Sequence, residues 1–324
     1  MAVAVLLAAL TLPILAARVS GGRPLKLSPK LAAFAPMATL PAVAGVAVAA
    51  SVRWWPAFLL ALPAVVLVAW QIPLPRRISR AETLEPYPLS HRGSNARSLR
   101  ILTLNVQRGS ADAAALVREL DLHRVDALAV QELTPEMVCR LVDAGVADRL
   151  RFCHLDPRSG AKGTGLWARW PLTALPPVPG LKAAAPRACI DLGDEPGVIL
   201  TVVHPIAPLN GHAQQWQQEL ALIRATLTGI SRPQVVAGDF NASRDHRPFR
   251  DLLAVGFLDC ADVARKRLWP GFTWPVGRVI LPIMRLDHVL VSDSGITVSE
   301  SRIVRVGGTD HRGVLAAIEV ETNG

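Results

Sequence analysis

The sequence predicts an α/β fold of packed sheets covered by helices, preceded by two to three transmembrane helices. Three observations lead there. The front of the chain is apolar and free of acids, the pattern changes after about residue 98 to short apolar runs interspersed with helical ones, and turn-forming residues separate those runs.

No Asp or Glu occurs in residues 1–80, which carry Arg18, Arg23, Lys26, Lys30, Arg53, Arg76, Arg77 and Arg80. The whole chain has a formal charge of +9, of which this segment supplies +8, leaving +1 for residues 81–324. Apolar runs cover about 1–17, 31–52 and 54–73. The last two reach the roughly 20 residues that a hydrocarbon layer requires; the first is shorter. Trp54, Trp55 and Trp70 sit near the ends of the runs, where indoles favour the membrane interface. Pro13, Pro41, Pro56 and Pro63 disfavour soluble helices and are tolerated in a lipid-embedded bundle. A cleaved signal peptide over residues 1–20 is the rival, but its first cation, Arg18, follows the apolar run instead of preceding it. The expected organisation is a transmembrane region at 1–75, a linker at 76–98 and a folded domain at 99–321. That makes the chain a multi-pass cell-membrane protein. Four cations between Arg18 and Lys30, against Arg53 alone, favour a cytoplasmic domain. Cys139, Cys153, Cys189 and Cys260 form no CxxC pair, which disfavours a thiolate metal cluster.

Within the folded domain, strands are predicted at 100–106, 125–131, 164–168, 198–204, 234–238, 286–292 and 314–320. Helices are predicted at 112–121, 135–144, 212–229 and 246–254. The strand ends share a property. "RILTLNV" delivers Asn105, "VDALAVQEL" delivers Gln131 and Glu132, "ILTVVHP" delivers His204, and "VVAGDFN" delivers Asp239 and Asn241. Asp287 opens the run "DHVLVS", while Asp310 and His311 in "GGTDHRGV" immediately precede another. In extended backbone Asp239 and Asn241 share one face and Phe240 takes the other. A single Asn or Asp at a strand end is commonly a turn residue; six such events in one domain point to a site.

These residues resemble the endonuclease/exonuclease/phosphatase superfamily, the fold of DNase I, exonuclease III-class repair enzymes, inositol polyphosphate 5-phosphatases and neutral sphingomyelinases. The specific matches are "GDFN" and the terminal "TDHRGV"; "LNV" and "QE" fall in the same order. The resemblance implies a four-layer α-β-β-α sandwich, two mixed sheets flanked by helices, over about residues 99–321. The apolar front ahead of it resembles the membrane-anchored VanJ-like subgroup, which implies an extracellular domain, opposite to the charge bias.

By the same resemblance, Glu132 is a metal-binding carboxylate, joined by Asn105 and Asp310, for Mg²⁺ or Mn²⁺, hard cations that favour oxygen ligands. Asp239 positions or deprotonates the attacking water, and Asn241 donates to phosphate. Asp287 orients His311, which acts as base or as transition-state donor. His204 reads equally as a phosphate contact or as a strand-end histidine held by backbone. Arg187 and Trp274 complete the substrate-binding candidates. Thr134 and Pro135, just after Glu132, also read as a helix cap and first turn. Gln107 stands where several nucleases of the superfamily carry a further acidic residue. With a charge of only +1 over residues 81–324, nucleic acid is a possible partner but is not favoured. The expected activity is metal-dependent hydrolysis of a phosphoester or pyrophosphate in a membrane-associated, lipid-linked substrate. The alternatives are a membrane-anchored nuclease and a non-catalytic binding protein on the same fold.

Overall fold

The computed structural model describes residues 11, 13–14, 16–18, 29–51, 96–193, 197–264, 271–277 and 282–321. The expected span at 54–73, most of that at 1–17 and linker residues 76–95 lie outside the described residues. Over the span expected at 31–52 the chain forms two helices, α1 (Pro29–Ala33) and α2 (Ala35–Ser51), which meet at Phe34. Pro36 accounts for the break, because its ring is incompatible with a continuous helix running through the preceding turn. The longer piece has 17 residues, and among the described residues no helix is long and apolar enough to cross a membrane.

Twelve strands form two six-stranded sheets among the described residues. The first holds β1 (Ala96–Asn105), β2 (Ala127–Gln131), β3 (Phe152–Asp156), β4 (Thr164–Ala168), β11 (Ile296–Val304) and β12 (Gly313–Glu321), ordered β11-β12-β1-β2-β4-β3. The second holds β5 (Leu172–Leu175), β6 (Arg187–Ile190), β7 (Val198–Val203), β8 (Gln234–Asp239), β9 (Phe257–Asp259) and β10 (Asp287–Ser292), ordered β5-β6-β7-β8-β10-β9. Both sheets are mixed: β1–β2 and β7–β8 are parallel and the other pairs antiparallel. The first strand begins at Ala96, earlier than the predicted domain start, because residues 96–98 pair with residues 319–321 of β12.

Side-chain alternation sets the layers. Leu99, Ile101, Ala129, Leu200, Val202, Val235, Ala237, Val289 and Val291 all enter the core between the sheets. Leu102, Leu104, Leu128 and Val130 turn the other way, onto α3 (Ala113–His123) and α4 (Pro135–Asp143). Val203, Val236 and Leu290 meet α6 (Ala213–Leu227) and α7 (Arg247–Leu253). The short helices α5 (Val146–Arg149) and α8 (Cys260–Val263) complete the set. The result is the four-layer arrangement, and strands buried on both faces explain why the sequence runs are almost continuously apolar. Asp112 caps α3 by accepting from the Ala115 amide, and Thr134 caps α4 by accepting from Met137, with Pro135 in the first turn.

Gly238 shows how closely β8 lies against β7. A Cβ at this position would sit 2.0 Å from the Val203 carbonyl oxygen. We therefore expect Gly238→Ala to destabilise the protein by about 1–3 kcal/mol or more, as forced overpacking does. A urea titration showing an unchanged midpoint would contradict this packing.

Candidate active site

The topology gathers the polar strand ends. Parallel β1 and β2 end at one edge, with Asn105 level with Gln131, and antiparallel β12 begins there. In the other sheet β7 and β8 end together, and β10 begins with Asp287 directly opposite Asp239. Asn105, His204, Asp239 and Asp287 have the alternation of the residues that fill the space between the sheets. They therefore face one another where that apolar core ends.

Asp239 is the centre. Its Oδ1 accepts from the Asn241 amide at 2.8 Å, and its Oδ2 accepts from Asn105 Nδ2 at 3.1 Å. The same Oδ2 lies 3.6 Å from His204 Nε2 and 3.7 Å from His311 Nε2. Asn105 Nδ2 also donates to Glu132 Oε1 at 3.1 Å, so one amide ties the two sheets' carboxylates together. Its oxygen is fixed elsewhere, accepting from the Gln107 amide at 2.9 Å. The nitrogen of Asn105, not its oxygen, thus faces the carboxylates expected to share a metal with it.

Glu132 occupies a left-handed conformation (φ 58°) at the turn between β2 and α4. Its Oε2 accepts from the Arg108 amide at 2.8 Å, and its Oε1 lies 4.0 Å from His204 Nε2. The turn is possible because Gly163 passes close beneath it; a Cβ there would sit 1.9 Å from the Leu133 carbonyl oxygen. Thr134 caps the helix as its sequence position suggests, while the Glu132 side chain turns toward Asn105 and His204.

His311 and Asp287 form a buried pair, Nδ1 to Oδ2 at 2.9 Å. Burial lowers the basicity of His311, but Asp287 and then Asp239 more than offset it, and the imidazole is pushed up to about 10. The Asp287 carboxyl is raised, by burial first and by Asp239 as well, against the opposing effect of His311. Asp310 Oδ1 stands 4.0 Å from His311 Nε2, and its Oδ2 accepts from the Trp274 indole at 3.1 Å. Trp274 therefore reaches the site through Asp310. Asn241 (φ 47°) sends its side-chain amide to the Pro205 carbonyl at 3.0 Å, with a second N–H left to donate. Arg187 is placed differently, with its guanidinium on Thr201 Oγ1 at 3.4 Å and on the Pro176 carbonyl at 3.3 Å.

Two threonines escaped the sequence reading. Thr309 Oγ1 donates to the Asn105 carbonyl at 2.7 Å and accepts from the His311 amide at 3.2 Å, joining the last motif to β1. Thr273 Oγ1 accepts from the amides of Leu286 and Asp287 at 3.0 and 3.3 Å, fixing the start of β10. Their only sequence signal was a polar residue inside "TDHRGV" and "GFTWP".

Asp239, Asp287 and His311 form a group of possible metal donors whose ligand atoms lie within 4.8 Å of one another. The carboxylates suit a hard divalent cation and the buried Asp287 Oδ1 has no hydrogen-bond partner, whereas His311 offers no lone pair to an ion while it is protonated.

Two stacked mixed sheets with carboxylates, an amide and imidazoles converging at one end are the arrangement of a class of phosphoester hydrolases. The sequence matches the Endonuclease/Exonuclease/phosphatase family over residues 102–311, and the chain belongs to that family, whose members hydrolyse phosphoester bonds. Among solved structures, a family protein from Beutenbergia cavernae DSM 12333 is 18% identical, with 69% of this chain and 72% of that chain covered and a TM-score of 0.55. TDP2 from D. rerio, complexed with a single strand DNA product, is 17% identical, with 68% and 98% covered and a TM-score of 0.54. An AP endonuclease from Archaeoglobus fulgidus is 15% identical, with 67% and 98% covered and a TM-score of 0.55. These likenesses establish the shared fold. No curated protein matches the sequence.

Proposed function

We propose that the protein is a divalent-metal-dependent phosphohydrolase that cleaves a phosphoester or pyrophosphate bond in a membrane-associated, lipid-linked substrate. The observation that carries the reading is the surrounding of Asp239 Oδ2 by Asn105, His204 and His311 at 3.1, 3.6 and 3.7 Å. A carboxylate oxygen held this way can accept a proton from a water directed at phosphorus. His311, kept as an imidazolium at neutral pH, presents Nε2 as a donor to a phosphoryl oxygen that gains charge in the transition state. Asp287 holds that ring by Nδ1. The second N–H of Asn241 is available to the same phosphate.

An imidazolium does not ligate metal, so His311 cannot serve as donor and ligand together. Glu132 and Asp310, both partly exposed, are the carboxylates best suited to hold Mg²⁺ or Mn²⁺, with Asn105 aligning Glu132 through its amide nitrogen. When bound, such an ion neutralises developing charge on phosphate and leaving group.

The membrane half of the reading rests on the acid-free, apolar residues 1–80 and on the low charge beyond them. The neighbour bound to single strand DNA product favours the second reading, a nuclease. One experiment separates them: the detergent-solubilised full chain is offered a polyprenyl diphosphate, a phospholipid and single-stranded DNA, with Mg²⁺ or with EDTA. Mg²⁺-dependent turnover of either lipid in preference to DNA is expected. Turnover of DNA alone would establish the nuclease, and no turnover of any of the three would leave a binding protein.

A further inference from the structure

The turn that follows Asp239 is held from behind by groups that take no part in the chemistry described above. Residues 240–246 connect β8 to α7. Within the turn, the Ser243 amide donates to His246 Nδ1 at 2.9 Å, and the Asp245 amide donates to Ser243 Oγ at 3.3 Å. From β10, His288 Nε2 reaches the Ala242 carbonyl at 3.0 Å, while its Nδ1 lies 2.7 Å from Asp259 Oδ2. Asp259 is held well below the usual carboxylate range: burial opposes ionisation, but Arg285 and His288 outweigh it. Asp287 and His288 are consecutive and face opposite sides of the sheet, so one strand supplies a site residue and a support for the Asn241 turn.

A second support comes from the front of the chain. Arg18 Nε forms an ion pair with Asp245 Oδ1 at 2.8 Å, with both side chains almost wholly buried. Arg250 donates to the Asp245 carbonyl at 2.7 Å, to the Arg244 carbonyl at 3.1 Å and to the Arg18 carbonyl at 2.8 Å, so one guanidinium joins both segments. Nearby, Ala33 and Pro36 line a cleft with Asp245, Met284 and Arg285. A buried carboxylate costs far more unpaired than paired. Burial raises the Asp245 carboxyl, and Arg18 is the leading influence that opposes this.

We infer that the N-terminal segment is a working part of the active site, with Arg18 a positioning residue that sets the Asn241 turn through its ion pair with Asp245. The inference rests on the phosphohydrolase reading only for its effect on turnover; the contact itself is independent of it. Arg18 closes the first apolar run, and its partner lies four residues beyond Asn241.

The test is a double-mutant cycle in the full chain, Arg18→Gln, Asp245→Asn and both together, read by amide hydrogen exchange over residues 242–250 and by hydrolysis. Each single variant is expected to speed exchange in that segment by roughly tenfold or more, as loss of local stability does. The double variant should be no worse than the more affected single, and Arg18→Lys should restore part of the protection. Turnover should fall by about 10- to 100-fold, since small misplacements of a binding group cost that much. Additive effects on exchange, or unchanged exchange in Arg18→Gln, would overturn the inference. Asp239→Asn should lower turnover by about 10²–10⁴-fold without changing exchange in 242–250, so absence of hydrolysis in the wild type would count against the enzymatic reading alone.

Discussion

Asp239→Asn is expected to lower turnover by about 10²–10⁴-fold, the range typical of a lost proton-transfer group. The substitution keeps the shape of the side chain and one oxygen for the Asn241 amide. It replaces the other oxygen with a nitrogen that faces Asn105 Nδ2, His204 Nε2 and His311 Nε2, at distances of 3.1, 3.6 and 3.7 Å in the wild type. A donor in that position cannot accept a proton from water. Relief of repulsion with Asp287 is set against loss of the acceptor for Asn105 Nδ2 and of the charge that favours the His311 imidazolium, so stability should fall modestly. Steady-state rates, measured together with a thermal melt, check both halves. A rate within a factor of a few of wild type would remove Asp239 from its role.

His311→Gln is expected to cost about 10²-fold or more in turnover, and the pH dependence of the wild type should show why. Its imidazole is raised from an ordinary value of 6.5 to about 10 by Asp287 and Asp239 acting against burial. A group raised in the folded state contributes stability that is fully present below its unfolded value and is lost as pH rises through its folded one. The stability difference between wild type and His311→Gln should therefore be greatest below about pH 6.5 and shrink toward pH 10. Turnover that needs the imidazolium should persist through neutral pH and fall on the alkaline side. A rate that climbs with an apparent pKa near 6.5 would make His311 a general base and contradict the donor role.

Much of this was legible in the sequence, for a physical reason. Strands buried on both faces give unbroken apolar runs, so β1, β2, β4, β7, β8, β10 and β12 announced themselves, and the polar residue at each end could be read as the exit from a core. The half-exposed strands were not legible: β5 has both central residues exposed, β11 mixes polar and apolar positions along its length, and β9 is only three residues long. The polar strand-end residues singled out in the sequence converge in space, but geometry changes what some of them present. Asn105 presents nitrogen where a ligand oxygen was expected, and Arg187 turns to Thr201. Arg18 read as a loop cation counted for membrane orientation. Its partner Asp245 lies 227 positions away, with no pattern to link the two.

The most direct test of the central claim is the Mg²⁺ dependence of hydrolysis in wild type and Glu132→Gln, titrated from EDTA-treated full-length protein. A pocket built to work with one divalent ion predicts no turnover in EDTA and saturable recovery with Mg²⁺. It also predicts that Glu132→Gln needs at least tenfold more Mg²⁺, in the range seen when supports of a metal site are removed. Turnover that survives EDTA, or a Glu132→Gln titration that overlays the wild type, would contradict it.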